Sequence, residues 1–199
     1  MKSNVCKIEK GSHDLELIFK ESEKVAAYNG LSHKQTLQMR LLCEEIDGML
    51  PQIVGDFEGD LWIEFENGVC KVNVSIQLEG LTSDKKEKLI DLAKNKKNAE
   101  AVGIIGKIRS GIEDFFLANE ILLDYSIASA QFYEATGYSK GVDYSYLWSL
   151  KQYKTTVNKE TQAEQWDELE KSVIASVADD VIVGVKGKRV DIVIVKHFA

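Results

Sequence analysis

The sequence predicts an α+β protein: a two-layer sandwich with helices on one face of a mixed, mainly antiparallel sheet. Three observations predict it. First, Leu61, Ile63 and Phe65 alternate with Trp62, Glu64 and Glu66, and Val72, Val74, Ile76 and Leu78 alternate with Lys71, Asn73, Ser75 and Gln77. Asn67-Gly68 lies between the two runs, and Asn-Gly suits a type I′ turn because both central residues need positive φ. Second, two β-branched runs flank Lys186-Gly187-Lys188 in DVIVGVKGKRVDIVIVKHF, a second hairpin. Third, apolar residues recur at steps of three and four before and between the hairpins, the spacing of one helix face. Helix, helix, hairpin, helices, hairpin is an order that places a helical layer over one sheet.

Taken in order, NVCKIE at 4–9 reads as a short strand. Ser12 starts a helix whose Leu15, Ile18, Phe19, Ser22, Val25 and Ala26 share a face, and Asn29-Gly30 ends it. The segment from Ser32 to Gly55 is a longer amphipathic helix. Its apolar face holds Met39, Leu42, Ile46, Met49, Leu50 and Ile53. Ser32 suits the N-cap and Gly55 the exit. Pro51, the only proline, is expected to kink the last turn or end the regular helix near Leu50. The first hairpin follows, with its apolar face on the helices and its polar face in water. SDKKEKLIDLAKNKKNAE reads as a short helix and a lysine-rich loop. From Ala101 a helix resumes, with Ile104, Ile105, Ile108, Ile112, Phe115 and Phe116 as its stripe. Thr161 to Ala178 reads as one further helix, with Trp166, Leu169, Val173, Ile174 and Val177 inward. The Val/Ile density of the last hairpin predicts central strands.

Composition narrows the function. The 199 residues suffice for one core, and a single domain over 1–199 is the expectation. A net charge of −7 argues against a general nucleic-acid binder. No apolar run reaches the ~20 residues that span a bilayer. The N-terminal MKSNVCKIEKGSHD has no apolar h-region, so a cytoplasmic protein is expected. Cys6, Cys43 and Cys70 are far apart and odd in number, which fits reduced thiols better than a disulfide frame. His13, His33 and His197 are scattered, and no Cys/His spacing resembles a zinc site.

The chemistry-bearing residues are few. Glu44, Glu45 and Asp47 lie on the polar side of the 32–55 helix, with Gly48 one turn beyond Glu44. Acids beside a glycine on a core-packed helix can form one wall of a site, although a solvated helix face is the commoner meaning. Gly103 falls at a helix start, with Gly106 one turn in and Lys107 next to it. Such a start can present N–H groups and a positive dipole end to an anion, although glycines there more often serve close packing. The lysine-rich run is a solvated loop or, more sharply, a phosphate-facing flap. Residues 119–153 hold six of the seven tyrosines and Trp148. This Tyr-rich insert is either a partner-binding surface or a satellite core.

The layout resembles the GHKL ATPases (the Bergerat-like fold), which include the ATP-binding domains of histidine kinases and the anti-sigma-factor kinases. MRLLCEEIDGMLPQI is similar to the acidic helix of the anti-sigma-factor kinases. AEAVGIIGKIRSGI resembles the family's second glycine box, and KGKRVDIVIVK its closing hairpin. The resemblance implies ATP with Mg²⁺ as the ligand and Glu44 or Glu45 as a catalytic base. It implies Asp47, Gly48, Glu79, Gly80, Gly103, Gly106 and Lys107 around the nucleotide. It also implies, for an active member, an ATPase or protein kinase of the anti-sigma-factor type. A homodimer is one arrangement open to such a protein. Two departures stand out. The family's Mg²⁺-binding Asn falls at Gly48 if Glu44 aligns, or at Met49 if Glu45 aligns. Its DxGxG box is reduced to Glu79-Gly80 in QLEGLTSD. These departures fit a member that no longer turns over ATP. The alternative is an inactive GHKL-like scaffold that works by protein–protein contact.

Overall fold

The computed structural model describes residues 1–11, 15–77, 103–117, 146–157 and 162–198. Within them lie strand β1 (Cys6–Glu9), helices α1 (Leu15–Tyr28) and α2 (His33–Val54), and strands β2 (Glu58–Glu66) and β3 (Val69–Gln77). Helix α3 (Gly103–Leu117), strand β4 (Tyr146–Ser149) and helices α4 (Leu150–Thr156), α5 (Ala163–Lys171) and α6 (Val173–Val177) follow. Strands β5 (Asp180–Lys186) and β6 (Arg189–His197) complete the order. The Ser12 helix start, Leu78 and the lysine-rich segment lie outside the described residues.

The six strands form one sheet in the order β1-β2-β3-β6-β5-β4. Every pairing among the described strands is antiparallel, so the expected mixed sheet is replaced by a uniform one. The first hairpin turns as its Asn-Gly requires: Asn67 has φ of 50° and Gly68 of 79°. Gly187 turns the second at 57°. Both hairpins are local, but β3 and β6 pair along their full lengths, from Val69 opposite His197 to Gln77 opposite Arg189. That pairing makes β6 central, as its Val/Ile density predicts.

Strand alternation then sorts the side chains. Val72, Val74 and Ile76 of β3, Val190, Ile192 and Ile194 of β6, and Val181, Val183 and Val185 of β5 join one buried cluster. Ile18 of α1, Leu42 and Ile46 of α2, Ile108 of α3 and Ile174 of α6 belong to the same cluster, so the helical layer covers this face. A fully buried Leu or Ile contributes about 1.5–3 kcal/mol relative to exposure, which is why this face dominates the fold. Helix α1 lies over β2, α2 over β3, and α3 over β4 and β5. The opposite face is not uniformly wet, contrary to expectation. Ile182, Val193 and Val195 form a second buried cluster there, and Asn73 and Asp191 are buried on the same side.

Three local details differ from the sequence reading. Pro51 lies inside α2, which runs on to Val54 and closes with the Gly55 N–H donating to the Pro51 carbonyl. Proline lacks the N–H that would reach Asp47, but in the last turn that loss is small. The expected single helix over 161–178 is two, because Ser172 caps α6 by accepting from the Ala175 N–H at 3.3 Å. Val173, expected inward, is exposed at that break. Finally, Tyr146–Ser149 of the tyrosine-rich stretch pairs with β5 as the edge strand, with Tyr146 and Trp148 on the core side. The predicted α2 start holds: the Gln35 N–H donates to Ser32 Oγ, and the Ser32 N–H donates to the Gln35 side chain.

The chain start is held by a polar lock that the sequence does not advertise. Ser3 donates its N–H to the Ile63 carbonyl, and its hydroxyl accepts from the Ile63 N–H. This leaves Asn4 out of the ladder, and its N–H donates to buried Glu21 of α1 at 3.0 Å. Asn4 Nδ2 and Lys24 Nζ reach the same carboxylate. The hydrogen bond from Lys24 leads, with the Asn4 donors, in holding the Glu21 carboxyl below its usual range against the opposing effect of burial.

Candidate functional site

Helix α2 advances 100° per residue, and this decides where its acids point. Met39, Leu42, Cys43, Ile46, Met49, Leu50 and Ile53 face the core. Arg40, Glu44, Gly48 and Pro51 are exposed on the opposite side. Glu45 and Asp47 are half-buried, and, two residues apart, they sit on opposite flanks. Arg40 identifies the flanks. Its guanidinium lies 4.2 Å from the Phe19 ring centroid and 3.4 Å from Glu23, both on α1. Asp47 lies on that same α1 flank. Glu45 lies on the other, toward α3 and α6, which both pack against α2.

The sequence therefore groups residues that the fold separates. Glu45 belongs to the flank nearest α3 and Asp47 to the α1 flank, while Glu44 and Gly48 lie on the exposed surface between them. Glu79 and Gly80 lie outside the described residues. Gly48 is open: a Cβ built there meets nothing within 4 Å. Met49 is committed to the core and faces away from solvent.

Helix α3 begins at Gly103 with φ of 82°, a conformation that favours glycine. Gly103 and Gly106 are both buried, and Lys107 is half-buried. Farther along α3, Gly111 is pressed against β4. A Cβ there would lie 1.8 Å from Tyr146 Oη and 2.3 Å from Cζ. This contact fixes how α3 sits on the sheet edge, and nothing in the sequence singles out Gly111.

The acidity of Glu45 is shifted by its surroundings. Burial raises its pKa, and the neighbouring Glu44 charge adds to the rise. A carboxyl pushed upward holds a proton more readily and is a better base than an exposed one. The cysteines are unsuited to chemistry. Cys6, Cys43 and Cys70 are all buried, and none of them is in a disulfide. Burial drives the Cys43 thiol strongly up, with Cys70 and Cys6 near enough to add to it. Burial likewise pushes Cys70 to about 12.

The sequence reading also missed a cluster at the far end of the sheet. Asp179 accepts from the His197 N–H, and its Oδ2 lies 2.9 Å from His197 Nδ1. Lys196 Nζ donates to Oδ1 at 3.1 Å. Burial works to raise the Asp179 pKa, but these donors outweigh it and the net shift is downward. The cluster ties the start of β5 to the end of β6. Its only sequence signal is Asp179 before one strand and His197 at the end of its hairpin partner.

Among the described residues, no group of three His, Cys, Asp or Glu side chains is placed to hold a metal ion. Among the same residues, no helix is long and apolar enough to cross a membrane. No family model, curated protein or solved structure matches the chain. Helices α2 and α3 pack against each other and carry the candidate residues: Glu45 on the α2 flank toward α3, Glu44 and Gly48 on the exposed surface beside it, and Gly103, Gly106 and Lys107 at the start of α3.

Proposed function

We propose that the chain is an ATP-binding regulatory protein of the histidine-kinase-like ATPase type, with slow or no turnover. The observation that carries the reading is the order of parts. An acidic helix packs beside a helix opened by a positive-φ glycine; a hairpin separates them in sequence, and a second hairpin completes the sheet. That is the order of elements in the GHKL ATPases. In this reading the first turn of α3 takes phosphate through the N–H groups that no helix carbonyl accepts, and Lys107 supplies charge. Glu45 faces the same flank and acts as the base toward water or an attacking hydroxyl.

The residues present fit the phosphate better than the metal. Mg²⁺ requires oxygen ligands. Gly48 brings none, which leaves the Glu45 carboxylate on this flank and that of Glu44 on the exposed surface beside it as the donors. Bound Mg²⁺ would offset the repulsion between those acids and the phosphates.

The test is a thermal-shift titration with ATP and ADP, each with and without Mg²⁺. Nucleotide at 100 times its Kd stabilises a fold by about 2.7 kcal/mol. A saturable shift that Lys107→Gln weakens at unchanged ligand-free stability supports the site. Gly103→Val is a poorer probe, because valine at φ of 82° strains the backbone by itself. No shift at millimolar nucleotide overturns the reading.

The second reading is an inactive scaffold that acts by protein contact. Gly48 in the metal-donor position favours it. A partner would then be sought through the tyrosine-rich 119–153 region. A deletion for that purpose is confined to 119–145, since Tyr146–Ser149 is part of the sheet.

A further inference from the structure

We draw no further inference here: the strongest candidate, the sheet face turned away from the helices, where Ile182, Val193 and Val195 are buried and the Asn73 side-chain carbonyl has no hydrogen-bond donor, carries nothing because nothing among the described residues shows what covers it.

Discussion

Gly111→Ala separates two effects that usually act together. In an open helix this change stabilises by about 1 kcal/mol, because alanine loses less backbone freedom than glycine. At Gly111 the added Cβ falls 1.8 Å from Tyr146 Oη, 2.3 Å from Cζ and 2.9 Å from Cε2. The ring must therefore move as a whole, and overpacking of this kind costs about 3 kcal/mol at the upper end of its usual range. The net expectation is a loss of about 2 kcal/mol, read as a lower urea midpoint at unchanged slope. The cause is tested in a Tyr146→Ala background, where the obstruction is gone. There the same Gly111→Ala change is expected to stabilise by about 1 kcal/mol, a coupling of about 3 kcal/mol between the two sites. The sign reversal is the critical result. Stabilisation by Gly111→Ala in the wild-type background would refute the placement of the ring against α3. Equal losses in both backgrounds would refute Tyr146 as the cause.

Other expectations follow from the same geometry. Gly48→Ala, with open space around its Cβ, is expected to raise stability by about 1 kcal/mol in urea denaturation. Under the nucleotide proposal, Gly48→Asn places an oxygen donor beside Glu44, and the thermal shift with ATP is expected to become more dependent on Mg²⁺; an unchanged Mg²⁺ dependence counts against that alignment. All three thiols are expected to resist a disulfide reagent at pH 8 in the folded protein and to react together in urea. Fast reaction of any one without denaturant would contradict its burial. Glu21→Gln is expected to cost about 2 kcal/mol at neutral pH, the scale of hydrogen bonds to a charged group. Because the folded Glu21 pKa is depressed, its contribution is present above the unfolded carboxyl pKa and fades as pH falls through the folded value. The wild type should therefore lose stability on acidification more steeply than Glu21→Gln, as followed by urea midpoints between pH 7 and 3.

Much of the fold is legible where a local rule has one strong solution. Asn67-Gly68 dictates its turn, Ser32 with Gln35 forms a capping box, and the stripes of α1 and α2 are the faces that the core buries. Legibility fails where the deciding contact is distant. Four residues of β4 are a strand because β5 lies beside them, and nothing within YLWS sets them apart from a loop. The break at Ser172 is hidden because apolar residues keep helical spacing on both sides of it. Glu21 is an acid on a buried stripe, and only Asn4 and Lys24 make it tolerable there. The acids of α2 show a different limit. Glu45 and Asp47 read as neighbours along the chain, yet the 100° step of the helix sends them to opposite sides.

The pairing of β3 with β6 also bears on how the protein is made. Those strands lie roughly 120 residues apart in sequence, and closing a loop of that length is entropically demanding. The first hairpin can form early on the ribosome, but one of its long edges stays bare until β6 has been synthesised. During that interval Val72, Val74 and Ile76 wait beside an unpaired strand edge, which is a template for the wrong partner. Maturation should then be slow for a protein of this size. The nascent chain would be most exposed to aggregation in the interval before its final hairpin emerges.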